Sequence, residues 1–95
     1  MTPSFVIQST PRFERLARKL LKGHAEFQAL QDRAIEILHT DPLNRSRGYP
    51  IKKLEGVGHG NGQCRLALGR FRFRYDIYGQ NVVLQYCGLR RENTY

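Results

Sequence analysis

The segment Arg70–Ile77 alternates arginine with aromatic residues, and another arginine, Arg65, lies shortly before it. Guanidinium groups bind phosphate oxygens through two parallel hydrogen bonds. Successive side chains of a β-strand point to opposite faces, so Arg70, Arg72 and Arg74 would share one face, with Asp76 beside them. The same alternation in the preceding strand adds Arg65 to that face. The spacing therefore predicts an open surface lined by guanidinium groups that would hold a phosphate-bearing polyanion.

The positive charge is concentrated in the second part of the chain. The protein has 95 residues and a formal net charge of +8. Residues 1–41 hold six basic and five acidic residues, whereas residues 42–95 hold ten basic and three acidic ones. The basic residues of the second part, besides the arginines above, are Arg45, Arg47, Lys52, Lys53, Arg90 and Arg91. This balance favours nucleic acid, an acidic protein or an anionic membrane surface as a partner, although exposed arginines can also serve solubility alone.

If this surface cleaves RNA at a phosphate, the proton transfers of that reaction would need a group other than arginine, because the pKa of arginine lies above about 12. Tyr95 is the first candidate. It could accept the proton as a general base, or its ring could stack on a nucleobase. His59 is a second candidate, but a histidine in a loop is more often a bystander. It lies in the glycine-rich stretch Gly56–Gly62, which lacks the Gly-Lys-Ser/Thr end of a phosphate-binding loop, so we expect this stretch to be a mobile connection.

The sequence predicts neither a metal nor a cofactor. The carboxylates of the second part, Glu55, Asp76 and Glu92, are widely spaced, unlike the clustered carboxylates of two-metal nucleases. Cys64 and Cys87 belong to no CxxC motif or Cys/His cluster. We expect both thiols to be buried and to behave as small apolar groups.

Hydrophobic periodicity predicts an α+β fold. After a short strand at Ser4–Ser9, apolar residues at helical spacing indicate one helix from Thr10-Pro11 to Gly23 and a second from Ala25 to His39. The remaining segments predict strands, and they are Tyr49–Leu54 (a strand or an extended segment), Gln63–Leu68, Arg70–Ile77 and Val82–Cys87. Turns are expected at Gly69 and at residues 78–81. We therefore expect an N-terminal strand and a helical hairpin packed on one face of an antiparallel sheet.

Length and hydropathy limit the class of protein. A chain of 95 residues is expected to form one domain, residues 1–95, because domains commonly have about 100–150 residues. No apolar run approaches the length of a membrane span, and Met1–Gln8 lacks the cationic start and long apolar stretch of a signal peptide. We expect a cytoplasmic protein without a membrane partner.

Three segments in this order resemble the RelE/ParE superfamily, the toxins of bacterial type II toxin–antitoxin systems. Lys52–Gly56 has the pattern K-x-L-x-G, and Gly69–Ile77 has the pattern G-x-[YF]-R-x-x-Y-x-[IV]. Gly88–Tyr95 is similar to the family's segment of glycine, any residue and arginine that ends near a tyrosine. The resemblance covers essentially the whole chain, including the helical hairpin, and the second pattern is its most specific part. It implies a RelE/ParE-like fold for residues 1–95.

The RelE-like branch of this superfamily cleaves messenger RNA in the ribosomal A site. The resemblance implies that Arg65, Arg72, Arg90 and Tyr95 are the catalytic residues. It also makes the ribosome, mRNA and a cognate antitoxin the expected partners, the antitoxin in a hetero-oligomer. RNA contacts are expected from five further basic residues, which are Lys52, Lys53, Arg70, Arg74 and Arg91. The chemistry would be metal-independent, because fixed guanidinium groups can hold and neutralise the scissile phosphate while the RNA's own 2′-hydroxyl attacks it.

Two other functions remain open from the sequence. The ParE-like branch binds and inhibits DNA gyrase and has no nuclease chemistry. A basic RNA-binding or ribosome-associated module without cleavage activity would carry the same charge pattern. The segment Arg90–Tyr95 favours the ribonuclease.

Overall fold

The computed structural model describes residues 4–89. Helix α1, Pro11–Gly23, begins where the sequence predicts, because the Thr10 hydroxyl accepts a hydrogen bond of 3.0 Å from the Phe13 N–H and Pro11 needs no N–H at the first helical position. Helix α2, Phe27–Thr40, starts two residues later than expected and has no side-chain cap at Glu26. Both predicted helices are thus confirmed, with small shifts at their ends.

The chain turns sharply after α2. The Asp41 carboxylate accepts hydrogen bonds from the Arg45 N–H (2.8 Å), the Ser46 N–H (3.2 Å) and the Ser46 hydroxyl (2.7 Å). Burial of this carboxyl would raise its pKa, but these hydrogen bonds and the nearby Arg45 charge lower it overall. The turn directs the chain toward the sheet.

Five strands form one sheet in the order β1-β5-β4-β3-β2. Their bounds are β1 Val6–Ser9, β2 Ile51–Lys53, β3 Cys64–Leu68, β4 Phe71–Tyr78 and β5 Asn81–Leu89. Strands β2 to β5 pair antiparallel, as expected, and two-residue turns connect β3 to β4 and β4 to β5. The expectation of a wholly antiparallel sheet is wrong at one edge, because β1 runs parallel to β5. A four-residue strand pattern carries no information about its partner or direction, so the sheet is mixed.

The helices cover one face of the sheet with an aromatic core. Phe71, Phe73 and Tyr75 are fully buried on the helix side, which confirms the predicted inward alternation. The Phe27 ring of α2 lies 5.1 Å from Phe71 and 5.9 Å from Phe73, centroid to centroid. The Tyr75 hydroxyl donates a hydrogen bond of 2.6 Å to the Pro42 carbonyl, and burial raises the pKa of this phenol. Since the Phe71, Phe73 and Tyr75 side chains point toward the helices, their neighbours along β4 must point to the other face.

None of the helices in residues 4–89 combines the length and the apolar character that crossing a membrane requires.

Candidate nucleic-acid interface

Three arginines from two adjacent strands share the sheet face opposite the aromatic core. Across the strands, Lys52 pairs with Arg65, Arg65 with Arg74, and Arg74 with Tyr86. In the neighbouring row, Arg72 lies between Ala67 and Gly88. We call Arg65, Arg72 and Arg74 the arginine face. The predicted placement of these three residues is confirmed.

Arg65 and Arg72 are half-buried and reach solvent through an open cavity. They border this shallow cavity of about 320 Å³ together with Lys52 and Ala67. Arg72 has small cross-strand neighbours, and the Tyr86 ring, which lies against Gly88, is the large aromatic side chain beside this row. Within residues 4–89, the ion pairs are Arg33–Glu36 and Arg70–Glu26, and neither involves the arginine face. Arg65 and Arg72 are therefore placed to bind an external anion together.

Arg74 has a partly structural role. Its Nε donates a hydrogen bond of 3.1 Å to the Gly62 carbonyl. Gly62 has φ +81°, and a Cβ added there would come within 2.7 Å of the Arg74 Cβ. A side chain at position 62 would thus be strained and would collide with β4. The close approach places the loop before β3 directly on Arg74, so this arginine holds the loop as well as facing outward.

Asp76 anchors the loop of residues 58–63 to the sheet. This corrects two expectations, that Asp76 is exposed beside the arginines and that the loop is mobile. Asp76 has the pleat orientation predicted for it, but it is fully buried because the loop covers it. Its carboxylate accepts four hydrogen bonds of 2.9–3.1 Å, from the N–H groups of Gly60, Gly62 and Gln63 and from the Gln85 side-chain amide. The glycine-rich loop, expected to be a mobile connection, is therefore anchored.

A bulge in β5 supplies the fourth of these hydrogen bonds. Arg74 pairs with Tyr86, whereas Tyr75 pairs with Leu84, so Gln85 is an extra residue that has no partner in β4. Burial alone would raise the pKa of Asp76, but the hydrogen bonds outweigh it and lower the pKa. The carboxylate thus stays ionised, satisfied by internal donors and shielded from the open part of the arginine face.

Arg70 does not belong to the arginine face, contrary to the sequence prediction. It lies in the turn before β4, outside the regular alternation. Its Nη2 donates a hydrogen bond of 2.9 Å to the Glu26 carboxylate and lies 3.2 Å from the His24 ring. The turn therefore directs Arg70 toward the connection between the helices, on the side of the core.

The two lysines of β2 differ as well. Lys52 pairs with Arg65 and joins the arginine face, whereas Lys53 pairs with Cys64, so the pleat directs it to the other side of this edge strand. Both side chains are exposed and border a shallow groove at the β2 edge of the sheet, which Glu55 and Val57 also line. Lys52 is therefore the lysine placed to act together with Arg65.

A groove runs between α1 and the arginine face. It has a volume of about 530 Å³, and we call it the α1 groove. Leu16, Lys19 and Leu20 of α1 form one wall, and the sheet contributes the arginine face, Tyr86 and Gly88. Leu89, the last residue described, also lines it. The groove combines cationic, aromatic and apolar groups, which are the groups that contact single-stranded nucleic acid.

Tyr86 and Arg12 are site residues that the sequence reasoning missed. The Tyr86 ring lies along β5 against Gly88. A Cβ added to Gly88 would lie only 2.9 Å from the Tyr86 Cζ and would collide with the ring. The Arg12 guanidinium lies over the ring, 5.4 Å from its centroid. An aromatic residue two positions before a strand glycine could have indicated Tyr86, because such pairs cover exposed backbone. Nothing in the sequence indicates that Arg12 reaches β5.

Other candidate residues lie elsewhere. The His59 ring packs against Tyr78, 4.8 Å between centroids, at the far end of β4 from Arg72. Arg90, Arg91 and Tyr95, predicted for RNA binding and catalysis, lie outside the described residues. The structure thus brings Arg65, Arg72, Arg74 and Lys52 together without His59.

The thiols and carboxylates of the described region form no metal site. Among residues 4–89, no three His, Cys, Asp or Glu side chains are grouped so that they could ligate a metal ion. Cys87 is buried and Cys64 is half-buried. Burial raises the pKa of Cys87 to about 12, so this thiol is not a nucleophile at neutral pH.

No protein-family model, curated protein or solved structure matches the chain.

Proposed function

We propose that the chain is the toxin of a type II toxin–antitoxin system, a RelE-like endoribonuclease that cleaves mRNA on the ribosome. The observation that carries the proposal is the pair Arg65 and Arg72, which lie in neighbouring rows of adjacent strands, border the same open cavity and have no carboxylate partner in the described region. The two arginines are also residues to which the resemblance assigns catalysis.

The proposed reaction needs little more than alignment and charge stabilisation. The RNA's 2′-oxygen forms a bond to the adjacent phosphorus and loses its proton, while the bond from phosphorus to the 5′-oxygen breaks and that oxygen gains a proton. Arg65 and Arg72 hold the non-bridging oxygens and stabilise the extra negative charge that develops on them. The resemblance gives proton transfer to Tyr95 and a further phosphate contact to Arg90.

The same surface accounts for a proposed antitoxin. An acidic or flexible segment that crosses the arginine face would neutralise it and block RNA. Since Arg65, Arg72 and Lys52 are all on that face, inhibition and substrate binding would compete directly.

Cleavage on programmed ribosomes tests the proposal. Purified protein is added to ribosomes that hold an mRNA, and the message is mapped by primer extension. We expect cleavage by the wild type and a loss of about 100- to 1000-fold for Arg72→Ala, the usual effect of removing one group that stabilises transition-state charge. Arg70→Ala is the matched control, because Arg70 contacts Glu26 instead of the arginine face, and it should cleave like the wild type.

Gyrase supercoiling is measured in parallel. An intact message together with inhibited supercoiling would overturn the nuclease in favour of a ParE-like inhibitor. If the message stays intact, RNA is bound and gyrase is unaffected, the protein would be an RNA-binding module without cleavage activity. Cleavage that persists in Arg72→Ala would contradict the assignment of Arg72 to the catalytic site, but not the nuclease activity itself.

A further inference from the structure

The aromatic ring of Tyr86 has no evident role in the core. Tyr75, on the adjacent strand, is fully buried and its hydroxyl is bonded to Pro42. Tyr86 is half-buried on the opposite face and lines the α1 groove beside Arg65, Arg72 and Arg74. A large aromatic side chain on the arginine face is therefore available to a ligand.

The surroundings of the ring are those of a stacking site. Gly88 leaves room for the ring to lie along β5 toward the row that contains Arg72. Arg12 is exposed and extends from the first turn of α1 over the ring. Bases of single-stranded RNA stack on aromatic rings and on guanidinium planes, and both are present here.

We propose that Tyr86 and Arg12 bind one nucleobase of single-stranded RNA, next to the phosphate held by Arg65 and Arg72. The inference rests on the proposed function, because it takes RNA to be the polyanion. Leu16 and Leu20 of α1 form the apolar wall of the same groove. The subsite selects an unpaired base, since a base in a duplex has no free face to offer.

A small movement of Arg12 makes room for the base. The guanidinium carbon lies 5.4 Å from the ring centroid, whereas a base between two flat groups needs roughly 7 Å, two separations of about 3.5 Å. Arg12 is exposed and unbranched, so a change of rotamer supplies the difference. The contact between Arg12 and Tyr86 is then lost, and the base forms one contact with Arg12 and one with Tyr86 in its place.

Fluorescence of 2-aminopurine tests the subsite independently of cleavage. A short 2′-O-methyl oligonucleotide that contains 2-aminopurine cannot be cleaved by 2′-hydroxyl attack, and stacking quenches its fluorescence. We expect quenching by the wild type and by Tyr86→Phe, which keeps the ring. Tyr86→Leu should abolish quenching and weaken binding about 10- to 100-fold, the range for loss of one stacked base.

Arg12→Ala and Arg15→Ala form a matched pair on the same helix. Arg15 is exposed on α1 like Arg12, but the guanidinium that lies over the Tyr86 ring is that of Arg12, so removal of Arg15 lowers the charge equally without changing this contact. We expect weaker quenching only with Arg12→Ala. The comparison of Arg12→Ala with Arg15→Ala tests the base subsite even if Tyr86→Leu fails to fold. Thermal unfolding would show whether Tyr86→Leu is folded.

An abasic oligonucleotide completes the test. Wild type and Tyr86→Leu should bind it equally, because only phosphates remain. Equal quenching by wild type and Tyr86→Leu, or equal effects of Arg12→Ala and Arg15→Ala, would overturn the subsite. Intact mRNA on ribosomes combined with Tyr86-dependent quenching would instead overturn the proposed nuclease and leave the base subsite in place.

Discussion

Arg70 and Arg72 are two residues apart, yet they contact different parts of the molecule. Arg70 is in a turn and pairs with Glu26, whereas Arg72 is in β4, lies between Ala67 and Gly88 and borders the open cavity. The chemical type is the same, so the difference comes from position alone. At the scale of the residue, the arginine face depends on which guanidinium groups lack an internal carboxylate.

The shape of the Arg72 guanidinium, and not its charge alone, is expected to matter. Lysine keeps the positive charge but replaces the planar fork with a point charge. For Arg72→Lys we expect single-turnover cleavage to slow by about 10- to 100-fold, the loss of one charge-assisted hydrogen bond, while RNA affinity changes by less than about threefold. Lys52→Arg serves as the control. Full activity of Arg72→Lys would mean that Arg72 acts only through its charge.

At the scale of the element, the loop of residues 58–63 is held by one carboxylate. Asp76 joins this loop to β4 and, through Gln85, to the bulge in β5. The loop in turn rests on Arg74 through Gly62. A single buried charge therefore fixes the boundary of the arginine face.

Asp76→Asn should destabilise the fold in a pH-dependent way. An amide cannot accept from all the donors that surround the carboxylate, so we expect the free energy of unfolding at pH 7 to fall by about 2–3 kcal/mol. The pKa of Asp76 is lowered in the folded protein, so its stabilisation is complete above the ordinary value of 3.8 and is lost as the pH falls through the lower folded-state pKa.

Urea unfolding between pH 7 and pH 2 measures this difference. The gap between wild type and Asp76→Asn should be constant at neutral pH and narrow below about pH 4. Asp32→Asn, at an exposed position of α2, is the control and should leave stability nearly unchanged. A gap that does not vary with pH would mean that the ionised carboxylate is not what holds the loop.

At the scale of the whole molecule, charge and fold divide the protein into two sides. Residues 1–41 hold six basic and five acidic residues, whereas residues 42–95 hold ten basic and three acidic ones and so carry most of the net charge of +8. The aromatic core separates α2 from the arginine face, whereas α1 borders that face along the α1 groove. Polyanions are therefore attracted to the arginine face and the adjoining basic helix α1 more than to α2.

RNA binding should consequently weaken with salt. With phosphates at Arg65, Arg72 and Arg74, we expect the logarithm of the affinity to fall with the logarithm of salt concentration with a slope of about −2, since each single-strand phosphate contributes about −0.7. Arg65→Ala should reduce the slope by about 0.7. Arg33→Ala, on α2, should not change it. Equal slopes for all three proteins would contradict the placement of the RNA.

Several features could be predicted from local patterns. Both helices, the strands β3, β4 and β5 and the inward side of Phe71, Phe73 and Tyr75 follow from periodicity, which is a property of neighbours in the chain. The outward placement of Arg65, Arg72 and Arg74 follows from the same alternation. Local sequence was sufficient here because pleat and helical repeat are set by the backbone itself.

Other features depend on residues that are distant in the chain. The pairing of β1 with β5, the ion pair of Arg70 with Glu26 and the burial of Asp76 under its loop join segments separated by many residues. Arg12 meets Tyr86 only because α1 packs beside β5. The sequence by itself determined that a face of arginines exists. The tertiary structure decided which arginines stay on it and which ring lies beside them, because that depends on long-range packing and on hydrogen bonds that no local pattern encodes.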